Sequence, residues 1–379
     1  MITLANARVV TPSAVIDEGW VSIERGRITA VGAGTAVSGD AVDLRKAWLL
    51  PGFIDLHMHG GGGHDVAESS AHMAAALAFH RTHGTTRSVV SLVAAPVREL
   101  SRQLGWVADL VAAGATMTGH AIGAHLEGPF LSPARCGAQN PKYLMLPDRS
   151  LFAELVSAAR DCLLIATVAP ELPGALGVIA DAVASGVIVA IGHTDASYAD
   201  AEAAVAAGAT LFTHLFNGMR PLHHREPGVV AAALNSDIAC EVINDGRHVH
   251  PAMTKLVART PGQLVLVTDA IAAAGAGDGN YVLGDQHVRV REGEARLVAN
   301  GALAGSTLTM DEAVRRAVLE CAIPIRVASA GASGNPARVL GIDGETGSIT
   351  VGRIADLVVL DDQLRIEQVM AGGRWCALG

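Results

Sequence analysis

The sequence predicts an α/β fold, namely a closed (β/α)8 barrel of the TIM type with a small β-sandwich domain formed by both termini. Three observations predict it: the middle of the chain alternates apolar strands with helical patterns, both ends hold only short strand-like runs, and apolar residues make up 50% of the 379 positions. Near-continuous apolar strands are typical of a parallel sheet covered by helices. The predicted domains are 1–50 together with 337–379 for the β-sandwich and 51–336 for the barrel.

Eight segments in the middle of the chain have the composition of buried strands. In chain order they are FIDLHMHG, RSVVSLVA, AIGAHLEG, LLIATVAP, VIVAIGHT, TLFTHLFN, ACEVIND and LVLVTDA. Helical stretches such as HMAAALAFHRTHG and YADAEAAVAAGA separate most of them. Eight such units favour a closed barrel. The alternative is a doubly wound open sheet, but no GxGxxG turn follows the first strand.

The two ends of the chain resemble each other and differ from the middle. Residues 2–33 and 347–376 show short β-like runs separated by turn residues, without long helical patterns. Such runs predict strands that pair into one small module. Residues 280–300, NYVLGDQHVRVREGEARLVAN, predict a β-hairpin inserted after the eighth strand.

Charge and composition narrow the classes of partner. The formal net charge of −9 argues against nucleic acid, since a phosphate backbone binds basic surfaces, but it leaves room for a small phosphorylated substrate. The opening residues MITLANARVV lack a secretory signal pattern, and no apolar stretch is long enough to suggest a membrane partner. Five cysteines without CxxC spacing fit a reducing compartment, so the expected location is the cytoplasm.

Histidines and carboxylates stand at the ends of five predicted strands. His57 and His59 end the first strand and project to the same side, because side chains on a strand alternate between its faces. The others are Glu127 after strand three, His193 after strand five, His214 after strand six and Asp269 after strand eight. In a barrel of this type the carboxyl ends of all strands meet at one mouth, where the chemistry takes place. The sequence therefore predicts that these six side chains converge.

A divalent metal site is the simplest reason to bring these groups together. Burying all six without a cation would leave costly unpaired polar groups. Nitrogen and oxygen donors around an open position are what a catalytic divalent ion requires. No lysine ends a strand, so Glu127 is the expected bridge, with His57 and His59 on a first ion and His193 and His214 on a second. We expect one or two ions per subunit, zinc first, with iron and manganese as alternatives.

Several motifs resemble the amidohydrolase superfamily, in order and over nearly the whole chain. They are PGFIDLH with its HxH, HLEGPF, GHTDAS, THLFNGM, REPG, VTDA, LAGSTLTM, NPARVLG and GRIADLVVLD. HLEGPF and HLFNGM with REPG are the more specific ones. They resemble the family of N-acetylglucosamine-6-phosphate deacetylases, which remove acetate from the 2-acetamido group and leave glucosamine 6-phosphate.

The resemblance implies a role for each matching residue. Glu127, His193 and His214 match core metal ligands, and Asp269 matches the catalytic aspartate, which also belongs to the expected ligand set. Substrate contacts are implied for Ala138, Gln139, Asn217, Gly218, Arg225, His248, Leu303, Ala304 and Gly305. Asn217 and Gly218 match the pair that meets the phosphate. Arg225 matches an arginine that reaches the phosphate from a neighbouring subunit, so the resemblance also implies a homodimer.

The implied reaction is hydrolysis of an unactivated amide by water that the metal activates. Asp269 would accept the proton and deliver it to the leaving amine. Two features depart from many family members. The HxH makes a second ion expected here, and Gln139 stands where many members carry histidine. The alternatives are another amidohydrolase, such as a cyclic-amide hydrolase or nucleobase deaminase, and a non-catalytic barrel.

Overall fold

The computed structural model describes residues 1–35, 41–114 and 120–377. The strands are β1 Ile2–Val10, β2 Val15–Glu24, β3 Arg27–Ala33, β4 Ala41–Asp43, β5 Trp48–Pro51, β6 Phe53–Met58, β7 Gly60–Gly61, β8 His64–Asp65, β9 Thr85–Val93, β10 Ala121–Glu127, β11 Leu163–Val168, β12 Ile188–Ile191, β13 Leu211–Phe212, β14 Ala239–Ile243, β15 Leu264–Val267, β16 Gly279–Leu283, β17 Gln286–Arg291, β18 Glu294–Leu297, β19 Leu357–Leu360, β20 Ile366–Ala371 and β21 Arg374–Trp375. The helices are α1 Ser70–Thr82, α2 Val97–Ala113, α3 Arg149–Ala158, α4 Ala175–Ala184, α5 Tyr198–Ala206, α6 Gly228–Leu234, α7 Pro251–Val257, α8 Met310–Leu319, α9 Ile325–Ser329 and α10 Asn335–Val339. None of the helices in these ranges combines the length and apolar character needed to cross a membrane.

Eight parallel strands form the barrel, and they are the eight predicted from the sequence. The order around the barrel is β6, β9, β10, β11, β12, β13, β14 and β15, with a helix after each of the first seven. Pairing between β15 and β6 is sparse: Met58 forms an isolated parallel bridge with Ala270, and the Asp269 N–H donates to the His57 carbonyl at 2.8 Å. The predicted fold class is confirmed.

The helices pack on the barrel for reasons visible in their sequences. Helix α2 buries Leu100, Leu104 and Val107, which lie on one face because they are spaced four and three residues apart. Helix α5 begins with a capping box: the Ser197 hydroxyl accepts from the Asp200 N–H, and the Asp200 carboxylate accepts from the Ser197 N–H. This cap fixes the residue at which the loop after β12 ends and α5 begins.

Both chain ends contribute to a second sheet. Its strands run in the order β21, β20, β19, β5, β1, β2 and β3, with β4 paired to β1. Leu4, Val21, Leu49, Leu357 and Met370 belong to a hydrophobic cluster of its own, separate from the barrel core. Strand β5 leads into the first barrel strand, so the sheet adjoins the start of β6.

The predicted hairpin at 280–300 contains one strand more than expected. Strands β16, β17 and β18 form an antiparallel three-stranded sheet. In the third strand, Leu297 packs with Val288 and Ile271 in a small hydrophobic cluster. Burial of these side chains stabilises the second hairpin turn of the segment. This sheet lies beside the barrel mouth, where Leu283 lines the cavity described below.

Candidate metal centre

The six predicted ligands meet at the carboxyl ends of the barrel strands. They come from β6 and the residue after it, from the last residue of β10, and from positions two residues beyond β12, β13 and β15. All six are buried, none with more than 7% of its surface exposed. Alternation along β6 directs His57 and His59 to the same side, as predicted.

The ligand atoms form two adjacent groups. The first group is His57, His59 and Asp269, and the second is Glu127, His193 and His214; in each, one ligand atom per residue lies within 4.8 Å of the others. Glu127 Oε1 lies 3.0 Å from His193 Nε2 and 3.1 Å from His214 Nε2, whereas its Oε2 lies 3.2 Å from His59 Nε2. Glu127 Oε1 also lies 3.4 Å from His57 Nε2, so this carboxylate contacts imidazoles of both groups and is the residue that could serve both.

Hydrogen bonds at Nδ1 orient three of the four imidazoles. The His57 Nδ1 lies 3.1 Å from Glu241 Oε2, the His59 Nδ1 lies 3.0 Å from the Ser91 carbonyl, and the His193 Nδ1 lies 2.9 Å from the Arg135 carbonyl. Since a carbonyl or carboxylate only accepts, Nδ1 carries a proton, and in the neutral imidazole the lone pair is therefore on Nε2, which faces the centre. The His214 Nδ1 is buried and has no hydrogen-bond partner in the described residues.

The backbone around three ligands is strained. His193, His214 and Asp269 have φ angles of +47°, +28° and +47°, in a region that residues with a Cβ rarely adopt. Such strain costs on the order of 1–3 kcal/mol per residue and concentrates at functional sites. Apart from His57 and His59, four predicted ligands stand at the ends of four strands, and three of these four have such a strained backbone.

The electrostatics of the cluster favour added positive charge. Burial lowers the pKa of His59, but hydrogen bonds to Asp269 and Glu127 outweigh burial and raise it to about 9. Burial raises the pKa of Glu127, yet His57 and His193 hold it well below its usual range. Burial likewise raises the pKa of Asp269, but His57 and His59 lower it to about 2. The carboxylates thus remain ionised in a buried place, which suits a cation.

A cavity of about 210 Å³ opens above the ligands. Most of the predicted substrate contacts line it, namely Ala138, Gln139, Asn217, Gly218, His248, Leu303 and Gly305. Ala304 is fully buried in the cluster of the three-stranded sheet instead. Arg225 lies on the exposed surface, with Nη1 2.8 Å from His224 Nε2, and does not line the cavity of its own chain.

Two glycines allow the cavity wall to approach the ligands. Gly218 has φ +58°, and a Cβ there would lie 3.0 Å from His193 Nδ1. Gly305 has φ +57°, and a Cβ there would lie 2.6 Å from Ile271 Cγ2 and 2.8 Å from the Asp269 carbonyl. A side chain at either position would have to displace a ligand residue or its support.

Gln139 contacts a predicted ligand as well as the cavity. Its Oε1 accepts from the Ala94 N–H at 2.8 Å, which fixes the amide so that Nε2 donates to Glu127 Oε2 at 2.6 Å. The sequence predicted only a substrate contact here. The structure adds that Gln139 restrains the second oxygen of Glu127.

Sequence reasoning missed Glu241. This residue is the third of β14, is fully buried, and accepts at Oε2 from His57 Nδ1 at 3.1 Å and from the His214 N–H at 3.2 Å. It therefore contacts one ligand of each group. Glu241 does not stand at the end of a strand, so it lacks the feature that marked the other candidates. Its signal in the sequence is that it is the single carboxylate inside the otherwise apolar strand ACEVI.

Sequence comparisons identify the relatives of the chain. A model of the amidohydrolase family matches residues 48–376. N-acetylgalactosamine-6-phosphate deacetylase of Escherichia coli O157:H7 is 37% identical over 364 residues, covering 94% of this chain and 96% of its own. N-acetylglucosamine-6-phosphate deacetylase of Bacillus subtilis strain 168 is 35% identical over 376 residues, covering 96% and 94%.

A solved structure agrees with these relatives. An aspartate-to-alanine mutant of N-acetyl-D-glucosamine-6-phosphate deacetylase from Mycobacterium smegmatis, in complex with N-acetyl-D-glucosamine-6-phosphate, matches with a TM-score of 0.94 and 40% identity over 99% of both chains. The family match and the two ligand groups together indicate a divalent metal. The chain therefore belongs to the amidohydrolase family and, within it, to the family of N-acetylglucosamine-6-phosphate deacetylases.

Proposed function

We propose that this chain hydrolyses the acetamido group of N-acetylglucosamine 6-phosphate, releasing acetate and glucosamine 6-phosphate. One observation carries the proposal: six nitrogen and oxygen ligands from five strands converge beneath a cavity lined by the predicted sugar and phosphate contacts. The names of the relatives from Bacillus subtilis and Mycobacterium smegmatis support the same substrate.

The donor set fits divalent metal ions. It contains four imidazoles and two carboxylates, which suit zinc, iron or manganese, and the proposed first choice is zinc at both groups with Glu127 between them. When bound, such an ion supplies the acidity that makes water a nucleophile near neutral pH and polarises the amide carbonyl. The buried carboxylates supply the charge that holds it.

Asp269 is the proposed general base and general acid. Its Oδ1 lies 3.2 Å from His59 Nε2 and 3.6 Å from His57 Nε2, at the floor of the cavity. The imidazoles of His57 and His59 lower its pKa, so Asp269 is ionised at neutral pH, which is the form that a general base requires. The same carboxyl group then delivers that proton to the leaving amine.

Residues on the cavity wall are the proposed substrate contacts. Asn217 and Gly218 would bind the phosphate, with Arg225 of a second subunit added in a homodimer, since a guanidinium suits a phosphate dianion. His248 Nδ1 lies 2.7 Å from Asp245 Oδ2. Burial lowers the pKa of His248, but Asp245 raises it above its usual value, so the imidazole retains a proton to donate to the substrate.

The proposed location is the cytoplasm. A phosphorylated sugar carries charge that hinders its passage through a membrane, so its hydrolase is expected where the sugar phosphate is retained. The cysteines of the described residues are free thiols, as a reducing compartment allows.

A second candidate substrate is N-acetylgalactosamine 6-phosphate, which differs only in the configuration at C4. The relative from Escherichia coli O157:H7 carries that name, and its 37% identity lies between the 35% of the Bacillus subtilis relative and the 40% of the Mycobacterium smegmatis structure. Both substrates present the same acetamido and phosphate groups. The choice between them depends on the contacts made by the 4-hydroxyl.

Measuring acetate release tests the proposal. Purified enzyme with its metal content determined is assayed on both sugar phosphates and on unphosphorylated N-acetylglucosamine, before and after chelation. We expect fast release from at least one sugar phosphate, and loss of turnover after chelation. Absence of acetate release from both sugar phosphates by metal-loaded enzyme would rule the function out.

Replacing Arg225 tests substrate recognition and the dimer. Arg225→Ala should raise KM for the sugar phosphate by about tenfold, since a charge-assisted hydrogen bond contributes roughly 1.5–3 kcal/mol, while turnover of unphosphorylated sugar stays unchanged. His223→Ala, a neighbouring exposed change, is the control. Equal losses on both sugars would contradict the phosphate role.

A further inference from the structure

The described residues also form a cavity that is larger than the one above the metal centre. It has a volume of about 590 Å³ and lies at the opposite end of the barrel, where the strands begin. Pro51, which precedes β6, and Leu264, the first residue of β15, line it. Its volume is within the range of roughly 300–1,000 Å³ that is typical of small-molecule sites.

Arginines dominate the charge on its walls. Arg259, Arg326, Arg338 and Arg353 line the cavity, against the single carboxylate of Asp343. Within the described residues, no carboxylate oxygen lies within 4.0 Å of any of these four guanidinium groups. The molecule as a whole carries a net charge of −9, so this concentration of positive charge runs against its overall balance.

The hydrogen bonds of these arginines leave donors free. Arg326 Nη1 donates to the Pro12 carbonyl at 3.0 Å and Arg338 Nη1 donates to Asn335 Oδ1 at 3.2 Å, both neutral acceptors. Arg353 donates to the Gly344 carbonyl, but its Nε is buried and without a partner in the described residues. A buried donor without a partner is costly, so a ligand that accepts from it is favoured.

Arginines elsewhere in the molecule show the contrast. Arg149 pairs with Asp181, and Arg87 pairs with Asp356, each through its guanidinium group. Guanidinium groups that share a cavity and are not paired with carboxylates repel one another, and an anion among them reduces that repulsion. The planar fork of arginine matches the oxygens of phosphate.

Hydrogen bonds hold one wall of the cavity in place. A π-helical turn, Ala330–Gly334, contributes to this wall. Such turns are rare in proteins overall, but where they occur they are often at functional sites. The Ser333 hydroxyl donates to the Pro51 carbonyl at 3.3 Å, and Asn335 Nδ2 donates to the Leu264 carbonyl at 2.7 Å. The wall is therefore tied to the segment just before β6 and to the first residue of β15, which holds it in place without a ligand.

We propose that this arginine-lined cavity binds a small phosphorylated molecule, at a site separate from the metal centre and independent of the proposed reaction. The arginines would bind the phosphate oxygens. The hydroxyl group of Ser348, which also lines the cavity, offers a further hydrogen bond to the remainder of the ligand.

Calorimetric titration of the metal-loaded enzyme tests the site. The probes are inorganic phosphate, glucose 6-phosphate, which has no acetamido group, and succinate as a carboxylate. The cavity variant is Arg259→Ala combined with Arg338→Ala, which removes no hydrogen bond between distant segments of the described residues. Arg259→Ala alone, whose side chain makes no hydrogen bond in that part of the chain, is the second variant.

We expect glucose 6-phosphate to bind the unmodified enzyme and to bind the double variant at least about tenfold more weakly, with acetate release unchanged. Arg225→Ala should leave this binding intact, which separates the site from the active site. Arg149→Ala combined with Arg160→Ala removes the same charge elsewhere and should have no effect. Equal affinity in the cavity variant, an equal loss in that control, tighter binding of succinate, or no binding at millimolar concentration would overturn the proposal.

Discussion

The two ligand groups at the barrel mouth are built differently. The second group, Glu127, His193 and His214, comes from β10 and from the ends of β12 and β13 on one side of the barrel. The first group, His57, His59 and Asp269, joins the first strand to the last. Both imidazoles of the first group have a hydrogen-bonded Nδ1, whereas the Nδ1 of His214 in the second has no partner among the described residues. Two adjacent groups of candidate ligands can therefore lie in one mouth and still depend on different supports.

Replacing Glu127, the proposed bridge between the two groups, should have the largest effect on activity. Glu127→Gln removes the charge that both groups share, so both ions should be lost. Activity should then fall on the order of a thousandfold or more, since a metal supplies several kcal/mol of transition-state stabilisation. Elemental analysis and acetate release measure this. Retention of both ions at full occupancy would contradict the bridging role.

Changing the proposed acid–base group should separate catalysis from metal binding. Asp269→Asn is expected to reduce kcat by roughly a hundred- to ten-thousandfold, the usual contribution of general acid–base catalysis. The second group should keep its ion, because Asp269 belongs to the first. Steady-state kinetics and metal content are the readouts, and near-normal turnover would exclude Asp269 as the base.

Replacing Glu241 should distinguish the two groups. Glu241→Gln keeps the size of the side chain but removes the charge beside His57 Nδ1, so ion affinity at the first group should fall about 10–100-fold. Competition with a chelator measures this affinity. Asp356→Asn, at a buried carboxylate paired with Arg87 far from the ligands, is the control that lowers stability only. Similar losses of ion affinity in both variants would show that Glu241 is merely structural.

The smallest expected effect is a pH dependence of the thermal stability of the metal-free enzyme. The pKa of His59 is raised to about 9 from an ordinary value of 6.5, so its protonated form contributes stability that is complete below pH 6.5 and is lost as the pH rises through 9. The contribution is at most about 3 kcal/mol. The melting temperature of chelated enzyme should therefore fall between pH 6.5 and 9.

Metal-loaded enzyme is the comparison for that experiment. Its imidazoles have already lost the protons that compete with the ion, so its melting temperature should not fall in the same way. The gap between the two forms should widen as the pH rises. A chelated enzyme whose melting temperature stays level or rises between pH 6.5 and 9 would show that the imidazoles of the first group do not hold protons.

The sequence predicted the barrel strands and the convergence of six candidate ligands, because both follow simple rules. Apolar runs alternating with helices specify the barrel, and its topology brings the ends of β6 and β15 to one mouth although they are about two hundred residues apart in sequence. Gln139 could be placed in the site but not given its contact with Glu127, since that depends on the Ala94 N–H from another loop.

What the sequence did not predict depends on packing between distant segments. Glu241 lies in the middle of a strand, and only the closed barrel brings it against His57 and His214. The third strand of the 280–300 segment forms because it packs against Ile271. The cavity at the amino end combines residues from both chain ends with residues around 258–264 and 326–338, which no local pattern joins.

Closure of the barrel and binding of an ion by the first group would be linked. Backbone pairing between β6 and β15 is sparse, and His57, His59 and Asp269 stand on the two sides of that seam. An ion held by all three would act as a non-covalent cross-link between β6 and β15, the first and last strands of the barrel. Binding and closure are thermodynamically reciprocal. The free energy by which the ion stabilises the closed barrel therefore equals the free energy by which closure increases the affinity for the ion.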